Sequence, residues 1–404
     1  MRILIVNTYY APEIMGGAEY SVKKLAEQLQ KNGNEVAVLC TGEHYLTEEV
    51  DGIKVIRIKP HNLCRGVDLA KKNKLVRVIR RTLDIWNPLN VKMVQEEIRR
   101  FSPDVLHTNG LYDLSAVVWK VAKDLNVKVV HTLRDYHLMC PFTSLSCKKN
   151  RGVCEITPPS LFCRIHRSVN RRNSRLVDVV TAPSKVTLQM LTKSGFFPNA
   201  KQVVIPNAID FSIEKVNRIF QERQKKLCEK TVEIRFVFLG KLSEQKGVRW
   251  MLEAFSKVNQ VNARLYIAGK GILEDVVLEA EKKDERIKYV GFLTEQEVDK
   301  LLSECDILIC PSQWQEPFGR VVLDAYKHSM PAIVSDQGAL PGLVDNMITG
   351  TVVPSGDCDE LTRAISSYVS NWELIISQGK AAMKQLQNFS IENQAYSFEE
   401  EYEV

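Results

Sequence analysis

The sequence predicts an α/β protein of two doubly wound domains, and three observations carry that prediction. The chain has 404 residues, too many for one ordinary core and enough for two domains of roughly 200 each. Apolar runs of the buried-strand type alternate with amphipathic helical stretches along its whole length. Residues 306–335 read strand, loop, helix, strand with short connections. That is a βαβ unit, which binds ligands in the loops beyond its strand C-termini.

Within this unit Asp306–Cys310 is a strand, and Pro311–Gly319, with two prolines and a glycine, is a loop. Arg320–His328 is helical in pattern and Ala332–Ser335 is the next strand. Glu316 lies in the loop and Asp324 about one turn inside the helix. A loop acid can accept hydrogen bonds from sugar hydroxyls. The backbone N–H groups of Phe318, Gly319 and Arg320, at the helix start, suit a phosphate. The plainer reading makes Glu316 and Asp324 solvated surface acids.

The amino-terminal half starts with a buried strand, Arg2–Val6, and an amphipathic helix over Ser21–Lys31 closed by Asn32-Gly33. Between them Gly16-Gly17 lets a ligand approach the backbone and leaves N–H groups for an anion, unless it is a plain turn. Strands follow at Glu35–Cys40 and Ile53–Ile58. Residues 65–86 are strongly basic, with Leu75, Val78, Ile79 and Leu83 on one helical stripe. Such a helix suits either a membrane surface or packing on its own core.

Val91–Phe101 and Ala116–Leu125 read as helices, Asp104–His107 and Lys128–His131 as strands. The loop Thr132-Leu-Arg134-Asp135-Tyr136-His137 follows, and His107 is a second candidate at a strand end. Cys140, Cys147, Cys154 and Cys163 lie in a basic loop without paired Cys-x-x-Cys knuckles. They are read as either a tetrahedral zinc site or independent thiols. A very basic helix spans Arg164–Val177, then come a strand at Asp178–Ala182, a helix at Ser184–Ser194 and a strand at Lys201–Ile205.

The second half repeats the alternation. After a charged connector over 214–230, Ile234–Leu239 is a strand, and Gly240–Gly247 opens a helix through Val258. Lys241 and Lys246 in that loop suit a diphosphate, whose oxygens they neutralise. Ala263–Ala268 and Arg286–Leu293 are strands whose ends carry Gly269 and Phe292. Gly350–Pro354 is a last strand, followed by helices to about residue 388 and again over 392–403.

Composition narrows the classes. Hydrophobic residues make up 45% and charged residues 26%, as in globular proteins. No apolar run nears the ~20 residues of a membrane span. The apolar start, Met1–Val6, is too short for a signal peptide, so a cytoplasmic location is expected, with reduced cysteines. Residues 1–200 hold 31 Lys+Arg against 18 Asp+Glu (+13), and the rest 24 against 31 (−7). The basic half suggests an anionic membrane surface or an anionic acceptor, with peripheral attachment at the cytoplasmic membrane face. No nucleic-acid motif accompanies the charge, and neither a Walker loop, a His-Glu-x-x-His sequence nor a complete dinucleotide fingerprint occurs.

Glu316, seven residues, then the acid Asp324, together with the Lys241–Lys246 loop, resemble the signature of retaining, nucleotide-sugar-dependent glycosyltransferases. The match is to glycosyltransferase family 4, with its group 1 domain. The resemblance implies GT-B architecture, two Rossmann-like domains facing a central cleft. Residues 1–206 would form the acceptor side, with helix 390–404 packing back on it, and 207–389 the nucleotide-sugar side. It places Glu316 by the donor sugar and Asp324, where the family has Glu, at the ribose. Lys241 stands where the family has Arg, and Lys246 matches its Lys, both toward the diphosphate. Arg134 stands where many members have a His that touches the sugar. Gly16 and Gly17 match the glycine-rich loop facing phosphates and acceptor, and the loops at Gly269 and Phe292 match those that cup the base. Phe318, Gly319 and Arg320 complete the donor site.

The implied reaction moves a hexosyl group from a nucleotide-diphosphate sugar to a hydroxyl of a glycan or lipid-linked acceptor. It needs no metal and no cofactor, and would serve surface polysaccharide or glycoconjugate synthesis. A nucleotide-sugar epimerase or hydrolase on the same fold is one alternative. A nucleotide-sugar-binding protein without catalysis is the other, prompted by Arg134, Lys241 and Asp324.

Overall fold

Ile3–Val6 are four consecutive apolar side chains with no solvent exposure, which requires a strand covered on both faces. The same holds for Ile307–Ile309 and Ala332–Val334. These runs seed two sheets in a computed structural model, which describes the chain except residues 15, 144, 146–153, 155–159, 229–232 and 404, and except the side chains of Ala70 and Lys74. The chain divides into two compact units, Met1–Ala208 with Ile391–Val404, and Ile209–Ser390.

The first unit runs β1 (Arg2–Val6), α1 (Gly17–Lys31), β2 (Glu35–Thr41), β3 (Leu46–Val50), β4 (Ile53–Ile58), α2 (Lys74–Leu83), α3 (Val91–Phe101), β5 (Val105–Thr108), α4 (Val117–Asp124), β6 (Lys128–Thr132), α5 (Leu161–Asn173), β7 (Val179–Ala182), α6 (Lys185–Lys193) and β8 (Lys201–Val204). The second runs α7 (Ile213–Leu227), β9 (Ile234–Leu239), α8 (Val248–Ser256), β10 (Ala263–Ala268), α9 (Glu274–Lys283), β11 (Ile287–Gly291), α10 (Glu295–Glu304), β12 (Ile307–Cys310), α11 (Arg320–Tyr326), β13 (Ala332–Ser335), β14 (Gly350–Val353), α12 (Cys358–Ser370) and α13 (Glu373–Leu386). Helix α14 (Ile391–Tyr402) then belongs to the first unit.

The sheet orders are β3-β4-β2-β1-β5-β6-β7-β8 and β11-β10-β9-β12-β13-β14. Among the described residues every strand pairing is parallel except β3 with β4. Each chain segment therefore starts in mid-sheet, builds to one edge, then returns to build the other. The reversal lies between β1 and β5 in the first sheet and between β9 and β12 in the second, with Leu308 in register with Val237. Loops leaving such neighbouring strands diverge and open a crevice at their C-terminal ends. In the second unit Phe236 and Phe238 point into one apolar layer, Val237 into the other. Burial on both faces thus holds the register, because a slip of one residue would exchange the layers.

Some elements differ from the sequence reading. Helix α1 begins at Gly17 rather than Ser21. Strand β3, with its exposed and polar sequence Leu-Thr-Glu-Glu-Val, carries no hydrophobic signal and forms by antiparallel pairing with β4. Helix α9, acidic in its first turn and basic in its last, fills the segment between β10 and β11. The basic helix expected over 164–177 lies at Leu161–Asn173, and its Arg167 is buried, donating to the carbonyls of Met139 and Cys154. That guanidinium therefore adds nothing to an electropositive face.

His107 is fully buried. Its Nε2 lies 2.7 Å from Thr132 Oγ1 and its Nδ1 2.6 Å from the Tyr402 hydroxyl. It fastens α14 to the first sheet and has no access to an acceptor. Cys140 and Cys163 are buried free thiols, Cys154 is buried, and Cys147 lies outside the described residues. Among the described residues no group of three or more His, Cys, Asp or Glu is placed to hold a metal ion, and no helix is long and apolar enough to cross a membrane.

Candidate active site

The loops after β9 and β12, on either side of the second sheet's reversal, meet through side chains. Lys246 Nζ donates to Glu316 Oε2 at 2.6 Å. Ser312 Oγ donates to the same oxygen at 3.0 Å and the Trp314 indole N–H at 2.9 Å. One carboxylate oxygen thus receives three donors, one of them cationic, and Oε1 takes none of these bonds. Glu316 is buried, and a buried carboxylate is tolerable only when so compensated. Burial acts to lower the Lys246 ammonium, but the facing Glu316 carboxylate outweighs it and holds its pKa above the ordinary lysine value. Lys246 also sits 5.4 Å from the centre of the Trp314 ring, a cation–π contact.

Glycines permit this convergence. Gly247 has φ +70, and a Cβ there would lie 1.8 Å from the carbonyl oxygen of Pro311. Gly338 has φ +62, and its Cβ would lie 2.2 Å from the backbone nitrogen of Glu316. The loop after β13 thus presses on the backbone of Glu316, whose carbonyl accepts from the Ala339 N–H at 2.8 Å.

The other expected donor residues distribute around this pair. Gly319, with φ 97, caps the start of α11. Arg320 Nη2 and Asp324 Oδ1 are 3.8 Å apart on that helix. Burial raises the Asp324 carboxyl, with Arg320 acting against it. The Phe318 side chain is buried in the core against Phe389, so only its backbone is left for a ligand. Lys241 is exposed, and Phe292 is 68% exposed with the Lys270 ammonium 5.5 Å from its ring. Gly269 serves backbone packing, since its Cβ would meet the Gly240 carbonyl at 1.8 Å.

In the first unit Arg134 Nε donates to Asn109 Oδ1 at 2.9 Å and its Nη1 to Asn207 Oδ1. Its Nη2 is buried with no protein partner among the described residues. Burial pushes this guanidinium down to about 10, with Tyr402 and Glu19 acting against it, so it is charged at neutral pH. Glu19 accepts from the Gly16 backbone, and burial raises its carboxyl. Glu19 therefore links Gly16, at the start of α1, to Arg134 electrostatically.

Helix α2 is inside out. Arg80, 2% exposed, pairs with Asp84 and Asp113 on the buried side, whereas Leu75, Val78 and Ile79 are 68%, 45% and 42% exposed. Three of the four residues of the apolar stripe thus face outward, and Leu83 is half-buried.

Ser312, Trp314, Glu19 and Asn109 are functional candidates that sequence reasoning did not single out. The first two lie within four residues of Glu316, and that proximity was the available signal.

Comparisons with known proteins agree with this fold. Residues 15–212 match the model described as Glycosyltransferase Family 4, and residues 233–371 that described as Glycosyl transferases group 1. A relative from Klebsiella pneumoniae, an uncharacterized 42.6 kDa protein in a cps region, is 30% identical over 329 residues, 80% of this chain and 82% of its own. Among solved structures, Anabaena HepE in complex with UDP is similar with a TM-score of 0.72 at 18% identity, covering 99% of both chains. Sucrose-phosphate synthase from Thermosynechococcus elongatus is similar with a TM-score of 0.74 at 18% identity, covering 99% of this chain and 98% of that one. Two parallel-sheet units of GT-B architecture, matched across both halves by these models, make the chain a member of the group 1 glycosyltransferases, family 4.

Proposed function

We propose that the chain is a retaining glycosyltransferase that moves a hexosyl group from a nucleotide-diphosphate sugar to an acceptor hydroxyl. The observation that carries this reading is the Lys246–Glu316 pair at the reversal of the second sheet. In the transfer the bond between the anomeric carbon and the diphosphate oxygen breaks. The acceptor oxygen bonds to the same face of that carbon, and its proton passes to the departing diphosphate. Lys246, with Lys241 at the loop's exposed end, meets the charge that develops on the diphosphate, the role a metal fills in other transferases. Glu316, its Oε2 held by three donors, offers Oε1 to the sugar hydroxyls. Asp324 holds the ribose, the backbone of Phe318, Gly319 and Arg320 the phosphates, and Gly269 and Phe292 flank the base. In the first unit, taken as the acceptor side, Arg134 and the Gly16-Gly17 loop contact sugar or acceptor.

The acceptor is a glycan or lipid-linked saccharide, and the product a surface polysaccharide or glycoconjugate. The cps-region relative supports that assignment. The exposed apolar stripe of α2, with its basic neighbours, supports peripheral attachment to an anionic membrane face.

The test is nucleotide release from UDP-, GDP-, ADP- and dTDP-sugars with chelator present, followed by NMR of the product's anomeric configuration. Release from one donor with retained configuration is expected. Inversion, or release only with added divalent metal, would overturn the corresponding part of the assignment, and no release from any donor, with or without acceptor, would sink it.

A further inference from the structure

The first unit contains a cavity of about 290 Å³ whose lining includes neither Arg134 nor the Gly16-Gly17 loop. Tyr9, Arg81, Tyr112, His137, Phe142 and His166 are among its walls. The Tyr112 hydroxyl donates to Asp135 at 2.5 Å, so this residue offers its ring rather than its hydroxyl. The His137 ring lies 4.2 Å from it. Burial pushes both His137 and His166 down to about 3, which leaves two neutral imidazoles at physiological pH. The Nδ1 atom of each is buried with no protein partner among the described residues, although buried polar atoms are nearly always paired.

The charges on the wall are unequal. Arg80 is neutralised within the protein by Asp84 and Asp113. Arg81 makes no ion pair among the described residues, and its guanidinium stacks 4.3 Å from the centre of the Phe142 ring. A planar cation stacked on an aromatic face is pre-organised to grip a carboxylate or phosphate. The volume is at the small end for ligand sites, which run to about 300–1,000 Å³, and suits a single sugar ring.

We infer that this cavity binds a monosaccharide unit carrying one anionic group, carboxylate or phosphate. Arg81 meets the charge, and the aromatic walls cover the apolar face of the ring. As part of the acceptor this rests on the transferase reading above, and it narrows the acceptor class to acidic saccharides.

Calorimetric titration of the full chain with glucuronate, glucose 6-phosphate, glucose and inorganic phosphate tests the cavity. Thermal stabilisation by UDP, GDP, ADP and dTDP reads the nucleotide site separately. Glucuronate or glucose 6-phosphate is expected to bind wild type. Arg81→Gln should bind that ligand about tenfold more weakly, as should wild type bind glucose, while stabilisation by the nucleotide is the same in both proteins. A second variant, Phe142→Ala at an exposed position, should weaken the same ligand. Equal binding of glucose, equal binding of inorganic phosphate, an unchanged Arg81→Gln titration or no saccharide binding would each overturn the inference. A nucleotide response with no saccharide response would sink the cavity alone, and the reverse result would sink the transferase reading alone.

Discussion

Lys246 and Glu316 stand 70 residues apart in the chain and 2.6 Å apart in the fold. The pair joins the two loops at the sheet reversal and is largely enclosed, with side chains 27% and 11% exposed. Lys246→Met leaves a buried carboxylate with two neutral donors. Breaking a fully buried pair costs about 3–5 kcal/mol, and with partial solvent access here about 2 kcal/mol is expected. Glu316→Gln removes the charge from the other side, and the double variant should lose less stability than the two singles summed. Urea unfolding of the four proteins checks this, and strict additivity would show the pair to be uncoupled. Nucleotide release should fall in each single variant by about 10²-fold or more.

Gly338→Ala should damage the same site without touching its chemistry. The new Cβ falls 2.2 Å from the Glu316 backbone nitrogen in a left-handed conformation, so the two loops must part. A stability loss of about 1–3 kcal/mol is expected, together with loss of nucleotide-dependent thermal stabilisation. Gly342, whose Cβ would meet nothing within 4 Å, is the control, and Gly342→Ala should retain that stabilisation.

The strands and the two-domain plan were legible because doubly buried strands leave continuous apolar runs such as Ile3–Val6 and Ile307–Ile309. Strand β3 was not, since it forms by pairing and its side chains are largely outside the core. The loop carrying Glu316 could be read from its acid and its glycine, but Ser312 and Trp314 acquire meaning only once Oε2 is seen to collect their hydrogens. The orientation of α2 was least legible. Its apolar spacing is that of any amphipathic helix, and the outward turn of the stripe is set by Asp113, 33 residues beyond Arg80, which draws the guanidinium inward.

Arg134 should not be replaceable by histidine. Its guanidinium bridges Asn109 and Asn207 at once, and an imidazole has neither the reach nor the fork. Arg134→His should lower transfer about tenfold or more, since hydrogen bonds to charged groups are worth about 1.5–3 kcal/mol each. A gain of activity in Arg134→His would instead mark this chain as a member whose catalysis has decayed.

Stability should fall on acidification below neutrality. Burial holds His131, His137 and His166 down to about 3, against about 6.5 when unfolded. Between those values the unfolded chain binds protons that the folded chain does not, so stability rises with pH through this window. Each group contributes a slope of up to about 1.4 kcal/mol per pH unit. Urea midpoints should therefore drop from pH 6.5 toward pH 4.5, and His131→Phe should flatten the profile. A midpoint independent of pH over that range would contradict the buried neutral imidazoles.

The two faces of α2 should respond oppositely to mutation. Leu75→Ser with Ile79→Ser removes exposed apolar groups, so thermal stability should change little. Binding to liposomes rich in anionic lipid at low salt should fall about tenfold or more, because each side chain would bury its apolar surface at about 25 cal/mol per Å². Arg80→Met should do the reverse. It leaves Asp84 and Asp113 without their shared cation, costs about 3–5 kcal/mol, and spares the outer stripe. Were the serine variant to lose stability instead, the stripe would be packed in solution and the membrane role of α2 would fall. If the serine variant kept both stability and liposome binding, the basic side chains alone would make the contact, and binding should then vanish at high salt.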